Sequence, residues 1–287
     1  MPNNPPLPRP EDRPRVEERL HKMVRRWPEV SGYRLQPDPD VVEGIVQALV
    51  RSTMMHGLGY CPCRDLTGDP EVDRANVCPC AHHHQEIKTQ GYCKCQLFVG
   101  EGYDPAVAYR PEPATIQQKP LRSVRHRWVT VYSTRWCFHS RRTKALLDKL
   151  SIPYEDVDIE QDLEAARRVE AWNGGHRSVP TVVARLVITE PTTSELATVI
   201  QTPSALLDGL CVNVTRWCAT SRRTLAWLRD NAVPHVSVDI EQDANAARQV
   251  TEWNQGYQSV PTLDVTLRIT EPTSDELVQM LGLGAPH

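Results

Sequence analysis

Six of the chain's nine cysteines lie between Cys61 and Cys95, in CPCRDLTGDPEVDRANVCPCAHHHQEIKTQGYCKC, as three Cys-X-Cys pairs. In a reducing compartment, thiols at this density hold a metal or exchange electrons as a dithiol–disulfide couple. Zinc sites usually draw on cysteines spaced about two to four residues apart, looser than Cys-X-Cys. An iron–sulfur cluster takes four thiolates and would leave two of the six spare, enough for one redox pair. The count does not say which two are spare. Cys137, Cys211 and Cys218 complete the set.

The surroundings narrow the setting. The chain has 287 residues, 40% of them hydrophobic, and a formal charge of -3, which gives no electrostatic case for nucleic acid or anionic lipid. No apolar run reaches the ~18–20 residues that cross a bilayer. The start, MPNNPPLPRPEDRPR, lacks the apolar segment of a secretory signal, so a cytoplasmic location is expected. A helix is predicted over Arg15–Arg26 with Leu20, Met23 and Val24 inward. A second follows Pro39-Asp40 and carries Val41, Val42, Ile45, Leu49 and Val50 at helical spacing. The cysteine block is rich in turn residues and reads as helices and loops wrapped around a metal centre.

The C-terminal half repeats itself. TRWCFHSRRT at Thr134 returns as TRWCATSRRT at Thr215; VDIEQD, SVPT and ITEPT also recur, always 81 residues on. Residues 127–200 align with 208–281 without a gap, with 37 identities in 74 positions. Each copy reads β-α-β-α-β-α with a cysteine at the first strand-to-helix junction, as in a small thioredoxin-fold unit. A cysteine at a helix N-terminus faces unpaired N–H groups, and Arg135, Arg141, Arg142, Arg216, Arg222 and Arg223 add positive charge, which favours thiolate. Both motifs end in serine, Cys137-Phe-His-Ser140 and Cys218-Ala-Thr-Ser221, so neither can close an internal disulfide. A monothiol cycle remains, in which the cysteine takes a small thiol from a mixed disulfide and another thiol resolves it. Cys211, at the place of Thr130, reads as a small buried apolar residue.

The Trp-Cys junction, the WNGG/WNQG turn and the Val-Pro pair resemble glutaredoxins, especially the mycoredoxins of actinobacteria. That resemblance implies cis peptide bonds at Pro180 and Pro261. Val179-Pro180 and Val260-Pro261 would then bind the substrate thiol, with mycothiol as one candidate. It also sets aside a bound [2Fe–2S] cluster, because monothiol members that hold one carry Gly-Phe after the cysteine.

Cys-Pro-Cys, Cys-Pro-Cys and Cys-X-Cys, preceded by VVEGIVQALVR and followed by QLFV, resemble the catalytic subunit of ferredoxin–thioredoxin reductase over about residues 12–110. The resemblance implies a [4Fe–4S] cluster on Cys61, Cys78, Cys80 and Cys93. It pairs Cys63 and Cys95 as the active disulfide, Cys63 attacking the target and Cys95 facing the cluster. Ferredoxin would be the electron donor. The family's third pair is Cys-His-Cys, whereas here Lys94 stands between the cysteines. Proton transfer would therefore fall to Lys94 or to His82, His83 or His84, whose plainer reading is a solvated loop. The stretch Ala81–Tyr92 is longer than in the plant-type enzymes.

The expected architecture is multidomain α+β: a mainly helical iron–sulfur reductase domain followed by two α/β thioredoxin-fold domains. Its parts are a disordered proline-rich leader (1–11), the reductase domain (12–110), a linker (111–126), a first glutaredoxin-like domain (127–201), a short linker (202–207) and a second domain (208–283). The expected activity is ferredoxin-dependent disulfide reduction, with thioredoxin-like proteins or small-thiol mixed disulfides as acceptors. Two other readings stand beside it: glutaredoxin-like domains that only dock partners, and a zinc or iron–sulfur scaffold without reductase activity.

Overall fold

The computed structural model describes residues 5–64, 66–110, 114–115 and 119–283; parts of the expected leader and first linker, and residue 65 of the cysteine block, lie outside these. Two compact units emerge, one of 1–109 with 135–141, the other of 110–134 with 142–287.

In the first unit a 3-10 turn at Pro10–Asp12 leads into α1 (Arg13–Ser31), so the end of the expected leader is ordered here. Val16, Leu20 and Val24 recur every fourth residue on α1 and are buried. A two-residue strand β1 (Arg34–Leu35) precedes α2 (Pro39–His56). The Asp38 carboxylate accepts the Asp40 N–H at 3.0 Å, and Pro39 at the first helical position gives up no hydrogen bond. Val41, Ile45, Val46, Leu49 and Val50 of α2 are fully buried, and α1 packs on this helix. Three short helices follow, α3 (Pro70–Asp73), α4 (His83–Gln90) and α5 (Pro105–Ala108); β2 (Phe98–Val99) lies between the last two and pairs with β1. The expected loop over Ala81–Tyr92 is therefore mostly helix. Ile87 and His83 face inward from α4, and Gly91 ends it at a φ of 87°.

The second unit departs from two separate domains. Repeat one contributes β3 (Val124–Ser133), α6 (Phe138–Lys149), whose first turn to Arg141 falls in the first unit, β4 (Glu155–Asp158), α7 (Leu163–Trp172), β5 (Thr181–Thr189) and α8 (Thr193–Ile200). Repeat two contributes β6 (Leu206–Val214), α9 (Ala219–Asp230), β7 (Val236–Asp239), α10 (Ala244–Trp253), β8 (Thr262–Thr270) and α11 (Ser274–Met280). All six strands form one sheet, ordered β4-β3-β5-β8-β6-β7. The predicted linkers are partly strand, since β3 starts at Val124 and β6 at Leu206.

Each repeat has only three strands, which leaves one side of β5 and of β8 without partners inside its own copy. The two edges satisfy each other by antiparallel pairing over nine positions. Arg185 pairs with Thr266, its own counterpart 81 residues on, so the local two-fold passes through that pair. Val182, Ala184, Leu186 and Ile188 alternate along β5 and join Leu263, Val265, Leu267 and Ile269 of β8 in one core with Leu147, Leu196, Leu228 and Leu277. Polar bonds cross the seam reciprocally. Thr189 donates to Asn254 and Thr270 to Asn173, each at 2.7 Å. Glu190 N–H donates to the Pro261 carbonyl and Glu271 N–H to that of Pro180, each at 2.8 Å.

Candidate thiol and metal site

Short backbone ladders place the three cysteine pairs. Cys61 N–H donates to the Asn76 carbonyl at 2.8 Å and Cys78 N–H to that of Gly59 at 2.9 Å, which sets the first and second pairs side by side. The third pair sits in a tight turn, where Gln96 N–H reaches the Cys93 carbonyl at 2.7 Å and Gln96 takes a φ of 62°. α4 ties these loops together through Glu86, which accepts the Lys94 N–H at 2.9 Å and pairs with the Arg64 guanidinium.

Five of the six cysteines are linked through their sulfurs. Those of Cys61, Cys63 and Cys95 lie within 4.8 Å of one another, and Cys93 Sγ is 3.7 Å from Cys95 Sγ. Cys80 also contacts the Cys61 sulfur, and Cys78 is within electrostatic reach of Cys61 and Cys93. S–H donation from Cys63, then from Cys80 and Cys95, holds Cys61 well below the usual thiol range; the contact with Cys61 pushes Cys63 and Cys95 up. Thiols this close cannot all ionise alone, because each anion opposes the next; a bound cation would remove that penalty. The donor set fits such a centre. It is all sulfur and largely buried, the Phe98 N–H points at Cys93 Sγ from 3.4 Å, and the Arg64 guanidinium faces Cys80. The tightest group, Cys61, Cys63 and Cys95, combines one expected ligand with the two expected redox thiols; Cys93 joins it through Cys95 and Cys80 through Cys61, whereas Cys78 is linked only electrostatically.

The proton-transfer candidates separate. Lys94, His82 and His84 are exposed, and His84 bonds the Tyr33 hydroxyl at 2.9 Å. His83 is buried, which corrects its reading as part of a solvated loop: its Nδ1 bonds the Cys80 carbonyl, and Nε2 has no partner among the described residues. Burial pulls its pKa down, so it is held neutral beside the second cysteine pair. The amphipathic spacing of His83 and Ile87 was the available signal for this inward face.

Cys137 falls in the first unit, on the segment 135–141. A Cβ added at Gly44 of α2 would come within 2.4 Å of the Trp136 indole, so glycine is needed for this approach. Phe138 lies 5.4 Å from Tyr92 and 6.0 Å from Tyr109, ring centre to ring centre. Arg141 binds Asp38 at 3.1 Å, stacks over Tyr109 and donates to the Arg135 carbonyl. Cys137 is buried, and its charge is among those that disfavour the Cys63 thiolate.

Cys218 caps α9 in the second unit. Its sulfur accepts the Ser221 N–H at 3.4 Å and lies 3.5 Å from the Val260 carbonyl, next to the cis Val260–Pro261 bond. Val179–Pro180 is also cis, as the family resemblance implied. Arg222 donates to the Arg216 and Trp217 carbonyls, and Arg216 pairs with Asp239. Partial burial opposes the Cys218 thiolate, but donation from Ser221 and Thr220 outweighs it and leaves its pKa lowered. Cys211, expected to be buried, is half-exposed, and burial raises its pKa. Iodoacetamide reacts with thiolate, so Cys218 should be alkylated faster than Cys211 at pH 7. On acidification Cys218 should lose reactivity later, since each unit of pKa separation changes the thiolate fraction about tenfold. Peptide mapping against pH measures both rates.

Residues 11–123 match the family model "Ferredoxin thioredoxin reductase catalytic beta chain", and residues 129–186 and 210–266 each match "Glutaredoxin". A Mycobacterium tuberculosis (strain H37Rv) protein assigned as a glutaredoxin is 46% identical over 54 residues, 19% of this chain and 64% of that protein. Mycoredoxin 1 of Corynebacterium glutamicum is 43% identical over 54 residues, 19% of this chain and 66% of that protein. The chain thus spans just under two thirds of the length of these relatives. No helix among the described residues is long and apolar enough to cross a membrane.

Proposed function

From a chain that joins a ferredoxin–thioredoxin reductase catalytic domain to two glutaredoxin domains, we propose a ferredoxin-dependent disulfide reductase that serves its own glutaredoxin-like thiols. The close approach of the Cys61, Cys63 and Cys95 sulfurs, with Cys93 Sγ 3.7 Å from Cys95 Sγ, carries this reading. A [4Fe–4S] centre on Cys61, Cys78, Cys80 and Cys93 would supply electrons singly, whereas cleaving a disulfide takes two. The chain's own residues do the rest. Cys63, partly buried, attacks the acceptor disulfide; Cys95, buried with its sulfur within 4.8 Å of that of Cys63, displaces the product by closing on Cys63. Arg64 and the Phe98 N–H direct positive charge at neighbouring sulfurs.

The acceptors are Cys137 and Cys218, or thioredoxin-like proteins and small-thiol mixed disulfides in solution; mycothiol is the small thiol that the likeness to mycoredoxins suggests. Tethering donor to acceptor raises effective concentration to roughly millimolar. Val260-Pro261 would receive the substrate's backbone beside Cys218, and the likeness to glutaredoxins gives Val179-Pro180 the same role.

Anaerobic protein supplied with reduced ferredoxin should convert a disulfide to free thiols, and Cys63→Ser should abolish that turnover. Turnover that survives in Cys63→Ser would sink the reading. If Cys137→Ser with Cys218→Ser left reduction of every disulfide unchanged, the glutaredoxin-like repeats would be docking modules.

A further inference from the structure

Two near-identical motifs occupy opposite environments. Trp136 is 8% exposed and Trp217 70%; Cys137 is buried, whereas Cys218 is half-exposed. The residues leading up to the thiol do not make the difference, since Thr-Arg-Trp-Cys stands in both copies. It comes from partners that only the first copy has: Gly44 makes room for Trp136, Asp38 holds Arg141, and Tyr92 and Tyr109 flank Phe138. Position 138 is phenylalanine in the first copy and its counterpart, Ala219, is alanine in the second, so the aromatic anchor is absent there. The cysteine between these anchors is buried in the same unit as Cys63 and Cys95, and the Phe138 ring beside it packs on Tyr92, the residue before Cys93. Ser140, at the place of a resolving thiol, is fully buried, and its hydroxyl has no partner among the described residues, so Cys137 needs a resolving sulfur from elsewhere.

We infer that the two repeats divide the work: Cys137 is the dedicated internal acceptor of Cys63, and Cys218 is the outward thiol that meets disulfides in solution. This rests on the reductase reading above. The exchange balances as follows. Cys137 starts as a mixed disulfide with a small thiol. The Cys63 thiolate attacks the Cys137 sulfur; the Cys63–Cys137 bond forms, and the small thiol leaves as a thiolate that takes up a proton. The Cys95 thiolate then attacks the Cys63 sulfur, closing Cys63–Cys95 and releasing the Cys137 thiolate. Two thiols are oxidised to one disulfide and one mixed disulfide is reduced to two thiols, a transfer of two electrons.

The full chain carrying Cys95→Ser cannot complete the second exchange. Reduced, freed of reductant and given bis(2-hydroxyethyl) disulfide without oxygen, it should accumulate a Cys63–Cys137 disulfide. Mass spectrometry of a non-reducing digest should find this link at about tenfold or more over Cys63–Cys218, given the higher local concentration of Cys137. A Cys63–Cys218 link at equal or greater yield overturns the inference, as does Cys63 capped only by the hydroxyethyl thiol. A second measurement uses the unaltered sequence with both Cys137 and Cys218 loaded with the hydroxyethyl thiol. On addition of reduced ferredoxin the Cys137 adduct should disappear first; loss of the Cys218 adduct first overturns the division. The trapping needs no ferredoxin, so absent ferredoxin turnover with an intact Cys63–Cys137 link would refute the electron source and spare the relay.

Discussion

On the proposed [4Fe–4S] centre, the wild type should be brown and contain iron, and Cys93→Ser should lose both, together with ferredoxin-driven disulfide reduction. Cys93 is 3% exposed, its N–H bonds Phe98, and its sulfur receives the Phe98 N–H, so serine would meet the same geometry with a harder, shorter donor. A closed metal centre couples binding to folding, worth about 10–16 kcal/mol for structural zinc in small domains. The first unit should therefore lose thermal stability along with colour. Cys211→Ser, on β6 in the other unit, should keep both. Iron and sulfide analysis with an absorption spectrum reads the first effect and calorimetry the second. A wild-type protein isolated anaerobically with zinc and no iron would favour the scaffold reading instead.

Leu267→Ala should destabilise both glutaredoxin-like repeats together, although Leu267 belongs only to the second. Its side chain is fully buried, and along the sheet it pairs with Ala184 of repeat one and Leu207 of repeat two. Removing a buried leucine side chain costs about 2–5 kcal/mol, a large part of a domain's net stability. With β5 and β8 sharing one ladder, the loss cannot stay within one copy. Hydrogen exchange should quicken by similar factors at Val131 in repeat one and Val212 in repeat two, both fully buried strand residues. Protection lost only in repeat two would show that the copies fold independently. The reciprocal bonds from Glu190 to Pro261 and from Glu271 to Pro180 tie each copy's proline segment to the other copy.

The chemistry was legible because it depends on residue type and short spacing. Three Cys-X-Cys pairs restrict the available ligand geometries wherever they fold, and the 81-residue period exposes the duplication and both helix-capping cysteines. α2 was also readable, from its Asp-Pro start and its periodic apolar face. The segment of α4 was not: HHHQEIKT is polar, and its inward face rests on just His83 and Ile87. Pairing of β5 with β8 left no mark either, since edge strands join through backbone groups that every residue carries, and alternating apolar positions fit a closed single domain equally well. The contrast between Cys137 and Cys218 lay furthest from view. The same Thr-Arg-Trp-Cys leaves one thiol buried and the other only partly buried, because burial depends on the residue after the thiol, Phe138 against Ala219, and on what the rest of the chain lays against the motif. Here Gly44, Asp38 and two tyrosines, distant in sequence, make that difference.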